Sequence, residues 1–147
     1  MEETKELLEK IKEVFPCPEQ DVRTYSPLSL AFIGDGIYEL VIRTMIVTKA
    51  NRGNKDLHLA TVKYVKAENQ AKMVEILKPF LTQEEADVLR RGRNAKPGSV
   101  AKNASLGEYH RATGIEALFG FLYLTGQTDR MLELIARGVE GLEEQDQ

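Results

Sequence analysis

The stretch PLSLAFIGDGIYELVIRTMIV, residues 27–47, constrains the fold more than any other. Its apolar residues cover most of a helix circumference, which is the pattern of a long helix buried on several sides. Ser26 can cap it with Pro27 at the first helical position, and it is expected to run to about Lys49. Asp35, Glu39 and Arg43 follow one another at intervals of four and so lie in one line along the cylinder. The plain reading is a solvent-facing stripe with a Glu39–Arg43 pair. Gly34 and Gly36 flank Asp35, however, and glycine inside a helix costs roughly 1 kcal/mol relative to alanine. They point to a second backbone or a ligand coming close, and a carboxylate buried there without compensation would be expensive.

A second segment has the same peculiarity. In ATGIEALFGFLYL the acid Glu116 sits among apolar residues with Gly114 and Gly120 nearby, and Tyr109, Thr113 and Glu116 share one helical face. Two glycine-thinned helices crossing closely would bring Asp35 and Glu116 together. Two carboxylates share a site only with a proton or a cation between them, and a hard divalent cation, Mg²⁺ above all, suits oxygen ligands.

Elsewhere the apolar residues recur with helical period and no pair of alternating runs reads as a hairpin, so the class is all-α. A first helix is expected over about Glu2 to Phe15, ending before the PCP of residues 16–18. Asn54 can cap a helical region that runs with a bend to about Lys78, where Pro79 closes it. Thr82 and Glu85 form a capping-box pattern opening a short helix that ends near RRGRN, and Gly92 to Asn103 has the composition of a loop. Ser105 and Thr128 are candidate caps of two further helices. Without a repeat or linker, residues 1–147 read as one domain.

One cysteine, Cys17, rules out an internal disulfide and a multi-cysteine zinc site, and His58 and His110 match no metal-ligand spacing. The acidic first ten residues lack the features of a signal peptide, and the apolar run from Ile33 to Val47 is broken by three charged residues, short of the roughly 20 apolar residues of a membrane span. A soluble cytoplasmic protein is expected. The net charge of −3 hides an uneven distribution: acids crowd both ends, whereas Arg90, Arg91, Arg93, Lys96 and Lys102 lie between Asp87 and Glu108 without an intervening acid.

These residues carry a resemblance. LAFIGDGIYELV resembles the signature helix of ribonuclease III nucleases and TGIEALFGFLYL their second acidic helix. RGRNAKPG between them, with the short length, is similar to the compact Mini-ribonuclease III branch, which consists of the catalytic domain alone. The likeness spans about residues 28–124. It implies a dimeric helical bundle that cuts double-stranded RNA with Mg²⁺, leaving 5′-phosphate and 3′-hydroxyl ends, and, for the compact branch, a role in maturing large-subunit (23S) ribosomal RNA. Asp35 and Glu116 match the catalytic acids that hold the metal. Two further acids of the full-length enzymes are replaced here by Ala31 and Thr113, so looser metal binding completed by water and phosphate is expected.

By the same resemblance no separate double-stranded-RNA-binding domain is expected, and Arg90, Arg91, Arg93 and Lys96 are the candidates for gripping the RNA backbone. Glu39 and Thr113 are candidates for orienting waters around the metal. Their plain alternatives are a partner for Arg43 and a hydroxyl bonded to its own helix backbone. Tyr109 either touches substrate or packs in the core. Two other functions stay open on the residues: an RNA-binding module of the same fold without catalysis, and a helical adaptor that docks partners through its apolar helix.

Overall fold

A computed structural model describes residues 6–95 and 105–146, and among these it contains helices and no strand. The helices are α1 (Leu7–Val14), α2 (Pro27–Lys49), α3 (Asn54–Val65), α4 (Ala67–Leu77), α5 (Gln83–Asn94), α6 (Leu106–Leu124) and α7 (Thr128–Gln145). Three of them begin where side-chain chemistry satisfies the free N–H groups of a first turn. The Ser26 hydroxyl accepts from the Ser29 N–H at 3.1 Å. Thr82 with Glu85 and Ser105 with Glu108 form two complete capping boxes.

Four expectations need correction. Asn54 does not cap α3: Gly53 holds the cap position, without a side-chain bond, and Asn54 is the first helical residue. Thr128 likewise lies inside α7, and its hydroxyl donates to Glu6 Oε2 at 2.8 Å, tying the start of α7 to the residue before α1. The bend expected before Lys78 is a full break at Lys66, whose backbone is extended. Finally, Gly92, Arg93 and Asn94 are helical rather than loop. Gly92 is inside α5 because α5 crosses α6 there: a Cβ at position 92 would lie 2.7 Å from Ala117 Cβ and 3.0 Å from Gly114 Cα.

Helix α6 is the centre of the bundle. Apart from Glu116 it is buried continuously from Ala112 to Tyr123, and its principal neighbours are α2, α5 and α4. Phe119 stacks on Tyr38 of α2 at 5.4 Å between ring centres, and the Tyr38 hydroxyl donates to the Tyr64 carbonyl at the end of α3. Helix α7 closes the core with Met131, Leu134, Ile135, Val139 and Leu142. Its first turns are fixed by Arg130, which donates to both carboxylate oxygens of buried Glu85, at 2.9 and 2.8 Å, and to the Phe80 carbonyl. That guanidinium holds the Glu85 carboxyl below its ordinary range. No helix among the described residues is long and apolar enough to cross a membrane.

Candidate active site

Between α2 and α6 the approach is backbone on backbone. A Cβ placed on Gly34 would lie 1.7 Å from the Glu116 carbonyl oxygen, and one on Gly120 would lie 1.9 Å from the Leu30 carbonyl oxygen. Only glycine fits at either position. The other two flanking glycines act differently from the expectation. Gly36 has nothing within 4 Å of an added Cβ, and Gly114 meets the Leu89 carbonyl of α5 rather than α2.

This crossing brings Asp35 and Glu116 into hydrogen-bond contact. The burial is the reverse of what the flanking glycines imply, since Asp35 is exposed and Glu116 is the enclosed member. Burial, then the hydrogen bond with Asp35, then the nearby charges of Asp35 and Glu39 push the Glu116 carboxyl up to about 9. Without a cation, the Glu116 carboxyl therefore keeps its proton at neutral pH.

The two acids line an open pocket of about 380 Å³ together with Ala31, Gln70, Tyr109 and Thr113. Thr113 is buried and its hydroxyl donates to the Tyr109 carbonyl at 2.9 Å, the backbone-bonded arrangement. Glu39 is not part of the pocket lining; its Oε1 accepts from Arg43 Nη2 at 2.7 Å, although its charge reaches Glu116. Among the described residues no three His, Cys, Asp or Glu side chains converge on one point. Two carboxylates on one pocket fit a cation that keeps most of its own waters, which is how Mg²⁺ binds.

The basic residues gather at the end of α5. Arg90 and Arg91 are exposed and Arg93 is partly buried, with Arg90 paired to Asp87 at 3.2 Å. Gly92 packs among them against α6, so α5 delivers these arginines to the helix that carries Glu116. Lys96 lies outside the described residues. Sequence reasoning missed Gln70, an α4 residue only 3% exposed that forms one wall of the acidic pocket. No local signal marks it, because only the packing of α4 on α6 carries it there.

Comparison with known proteins follows the same lines. The Ribonuclease III domain model matches residues 28–127. A Mini-ribonuclease 3 of Thermoanaerobacter sp. (strain X514) is 46% identical over 125 residues, 85% of this chain and 88% of that protein. One from Clostridium tetani is 41% identical, over 87% of this chain and 85% of its own length. A crystal structure of a protein from Fusobacterium nucleatum superposes with a TM-score of 0.75 at 28% identity, covering 84% of this chain and 98% of that one. With the domain matched across both acidic helices and close relatives covered nearly end to end, this chain belongs to the ribonuclease III family of endoribonucleases, in its Mini-ribonuclease 3 branch.

Proposed function

We propose that the chain is a Mg²⁺-dependent hydrolase of double-stranded RNA that leaves 5′-phosphate and 3′-hydroxyl ends, works as a cytoplasmic homodimer, and matures a large-subunit (23S) ribosomal RNA precursor. The observation that carries this reading is the juxtaposition of Asp35 and Glu116 in one pocket, fixed by a crossing that leaves no room for a methyl group. Family membership supplies the substrate class.

Asp35 and Glu116 would hold the cation, the first from the solvent side and the second from the enclosed side. When bound, the cation supplies an activated water and offsets the charge that develops on phosphorus and the leaving oxygen. The chain's own contribution is positional. Gly34 and Gly120 fix the spacing of the two carboxylates, and the stacked Tyr38–Phe119 pair keeps α2 and α6 in register a turn further on. Arg91 and Arg93 at the end of α5, with Arg90 after it leaves Asp87 and with Lys96, are the residues we assign to RNA phosphates, and their contacts are independent of sequence.

The dimer is supported by Phe32, which is 83% exposed on the same pocket rim as Asp35, with Leu28 beside it. An aromatic left so open beside a site is the anchor of an interface rather than a surface accident, and a duplex offers two strands to cut. Glu39 and Thr113 keep the role of water-orienting groups at the edge of the site as part of this proposal.

A plain RNA duplex incubated with the protein and Mg²⁺, and then with EDTA, tests the reading. Cutting that stops in EDTA, and is lost in Asp35→Asn and Glu116→Gln proteins with unchanged circular dichroism, supports it. Near-wild-type cutting by folded Asp35→Asn removes the pair from the chemistry. Salt-sensitive duplex binding with no cutting under any condition selects the inactive-module alternative instead.

A further inference from the structure

Gln70 is a buried polar group of the acidic pocket whose chemistry nothing above uses. It sits near the start of α4, the residue is 97% buried by the measure of 3% exposure, and its amide has no hydrogen-bond partner among the described residues. A buried primary amide offers two donors and an acceptor oxygen with two lone pairs, and such groups are almost always satisfied. Its neighbour Asn69 follows that rule, donating to the Lys63 carbonyl across the α3–α4 break. Among the described residues, the only buried side-chain nitrogen or oxygen that is both sealed and unpaired is His110 Nδ1. The Gln70 amide is therefore unpaired but not sealed, and the space it opens onto is the pocket it shares with Asp35 and Glu116.

Depth decides what can meet it. A duplex is a broad, convex object, and a side chain 3% exposed between two helices is beyond the reach of its backbone. Water and a hydrated cation are small enough. The same pocket has only two carboxylates, and a six-coordinate hard cation held by two carboxylates keeps several waters that need acceptors. Of the other lining residues, Ala31 offers no acceptor, and Thr113, whose hydroxyl proton goes to the Tyr109 carbonyl, offers a single oxygen.

We propose that Gln70 is a positioning residue for the cation, its side-chain amide oxygen accepting hydrogen bonds from the ion's hydration waters in the pocket it shares with Asp35 and Glu116. This rests on the cation-binding reading above and extends it to a residue on a third helix. The amide would then stand where a further acid would bind the cation more tightly but would also bring a third carboxylate into the pocket.

The test is calorimetric titration of Mn²⁺, standing in for Mg²⁺, into the full chain without RNA. Gln70→Met keeps the length of the side chain and removes its polarity. It is expected to weaken cation binding about 10-fold, the scale typical of losing a partner one layer out from a metal. Its melting temperature without metal is expected to equal or exceed that of the wild type, since an unpaired buried amide is replaced by an apolar group. Gln70→Glu is expected to tighten cation binding and enlarge the cation-dependent rise in melting temperature. Unchanged affinity in Gln70→Met, whether or not RNA cleavage falls, overturns the proposal, as does a lower metal-free melting temperature, which would make Gln70 structural. Wild-type protein that binds no Mn²⁺ overturns the cation reading itself, and the two failures are thereby distinct.

Discussion

Helix crossings in this molecule depend on glycine in different ways, and two of them mark the extremes. Where α2 meets α6, backbone meets backbone: the atoms that exclude a side chain at Gly34 are the Glu116 carbonyl and the Gly120 nitrogen. Where α4 meets α7, Gly138 and Gly141 make room for side chains, the first for Met73 and the second for Ile76. A main-chain carbonyl inside a helix cannot step aside without breaking its hydrogen bond, whereas a methionine has three rotatable bonds with which to do so. The unyielding crossing is the one that carries the acid pair, and the yielding one contributes nothing to the acidic pocket. The rigid crossing is thus the one that sets the two carboxylates on one pocket.

The largest expected effect follows directly. Gly34→Ala and Gly120→Ala each force α2 and α6 apart, and each should destabilise the protein by about 3 kcal/mol or more, at or above the upper range for overpacked cores. Urea unfolding followed by circular dichroism measures this. A loss below about 1 kcal/mol at either position would mean that the crossing is as yielding as the other one.

The second effect is electrostatic and belongs to the α2–α6 crossing alone. The Glu116 carboxyl is raised to about 9 in the folded protein from an ordinary value of 4.5. The folded state therefore binds more protons than the unfolded state between those values, so this group's stabilising contribution is present at low pH and is lost as pH rises through about 9. In chelator, the melting temperature of the wild type is expected to fall from about pH 5 towards pH 9. Glu116→Gln should remove most of that slope. Glu85, whose carboxyl is held below its ordinary range by Arg130, acts in the opposite sense, its contribution being lost as pH falls. Equal slopes in the two proteins would show that burial in the bundle does not raise the Glu116 carboxyl.

These comparisons also show what a sequence reader can and cannot see. Ser26–Pro27, Thr82 with Glu85, and Ser105 lie within a few residues of the turns they cap, so those helix starts were legible. The all-α class and the bringing together of Asp35 and Glu116 followed from period and glycine content. Glycine itself was ambiguous. Gly92 between arginines has the composition of a loop, and only the third dimension reveals that it is an opening for Ala117 and Gly114. The break at Lys66 has neither proline nor glycine to announce it. Which acid of the pair is enclosed depends on how far α6 is sunk in the bundle, and the Gln70 wall and the Glu85–Arg130 clamp join residues far apart in the chain. Such contacts have no local signature.

Gly36 provides the inverse of Gly34 two positions away on the same helix. An added Cβ there meets nothing within 4 Å, so Gly36→Ala should recover most of the helix-propensity deficit and stabilise by roughly 1 kcal/mol. The check is the shift in urea midpoint at unchanged slope. Destabilisation would point to a requirement for open space beside Asp35, such as a partner helix or an RNA backbone lying against α2.

The smallest net change is expected at the yielding crossing, where it is also the most instructive. A Cβ on Gly138 would lie 2.5 Å from Met73 Cγ and 2.7 Å from its sulfur, too close to be tolerated without movement. Met73 is fully buried, so it must re-pack rather than swing into solvent. The cost of re-packing, about 1–2 kcal/mol within the range for added methyl groups, is opposed by roughly 1 kcal/mol of improved helix propensity. Gly138→Ala should therefore lie within about 1 kcal/mol of the wild type. The decisive measurement is a double-mutant cycle with Met73→Ala. Truncating the methionine opens the space that the new methyl needs, so Gly138→Ala should become stabilising in that background although Met73→Ala alone is destabilising. No equivalent rescue exists for Gly34→Ala, because the atoms it meets belong to the main chain of α6 and cannot be removed by any substitution. If the Met73→Ala background leaves the effect of Gly138→Ala unchanged, then α7 is held off α4 by its backbone as well, and the two crossings differ in degree rather than in kind.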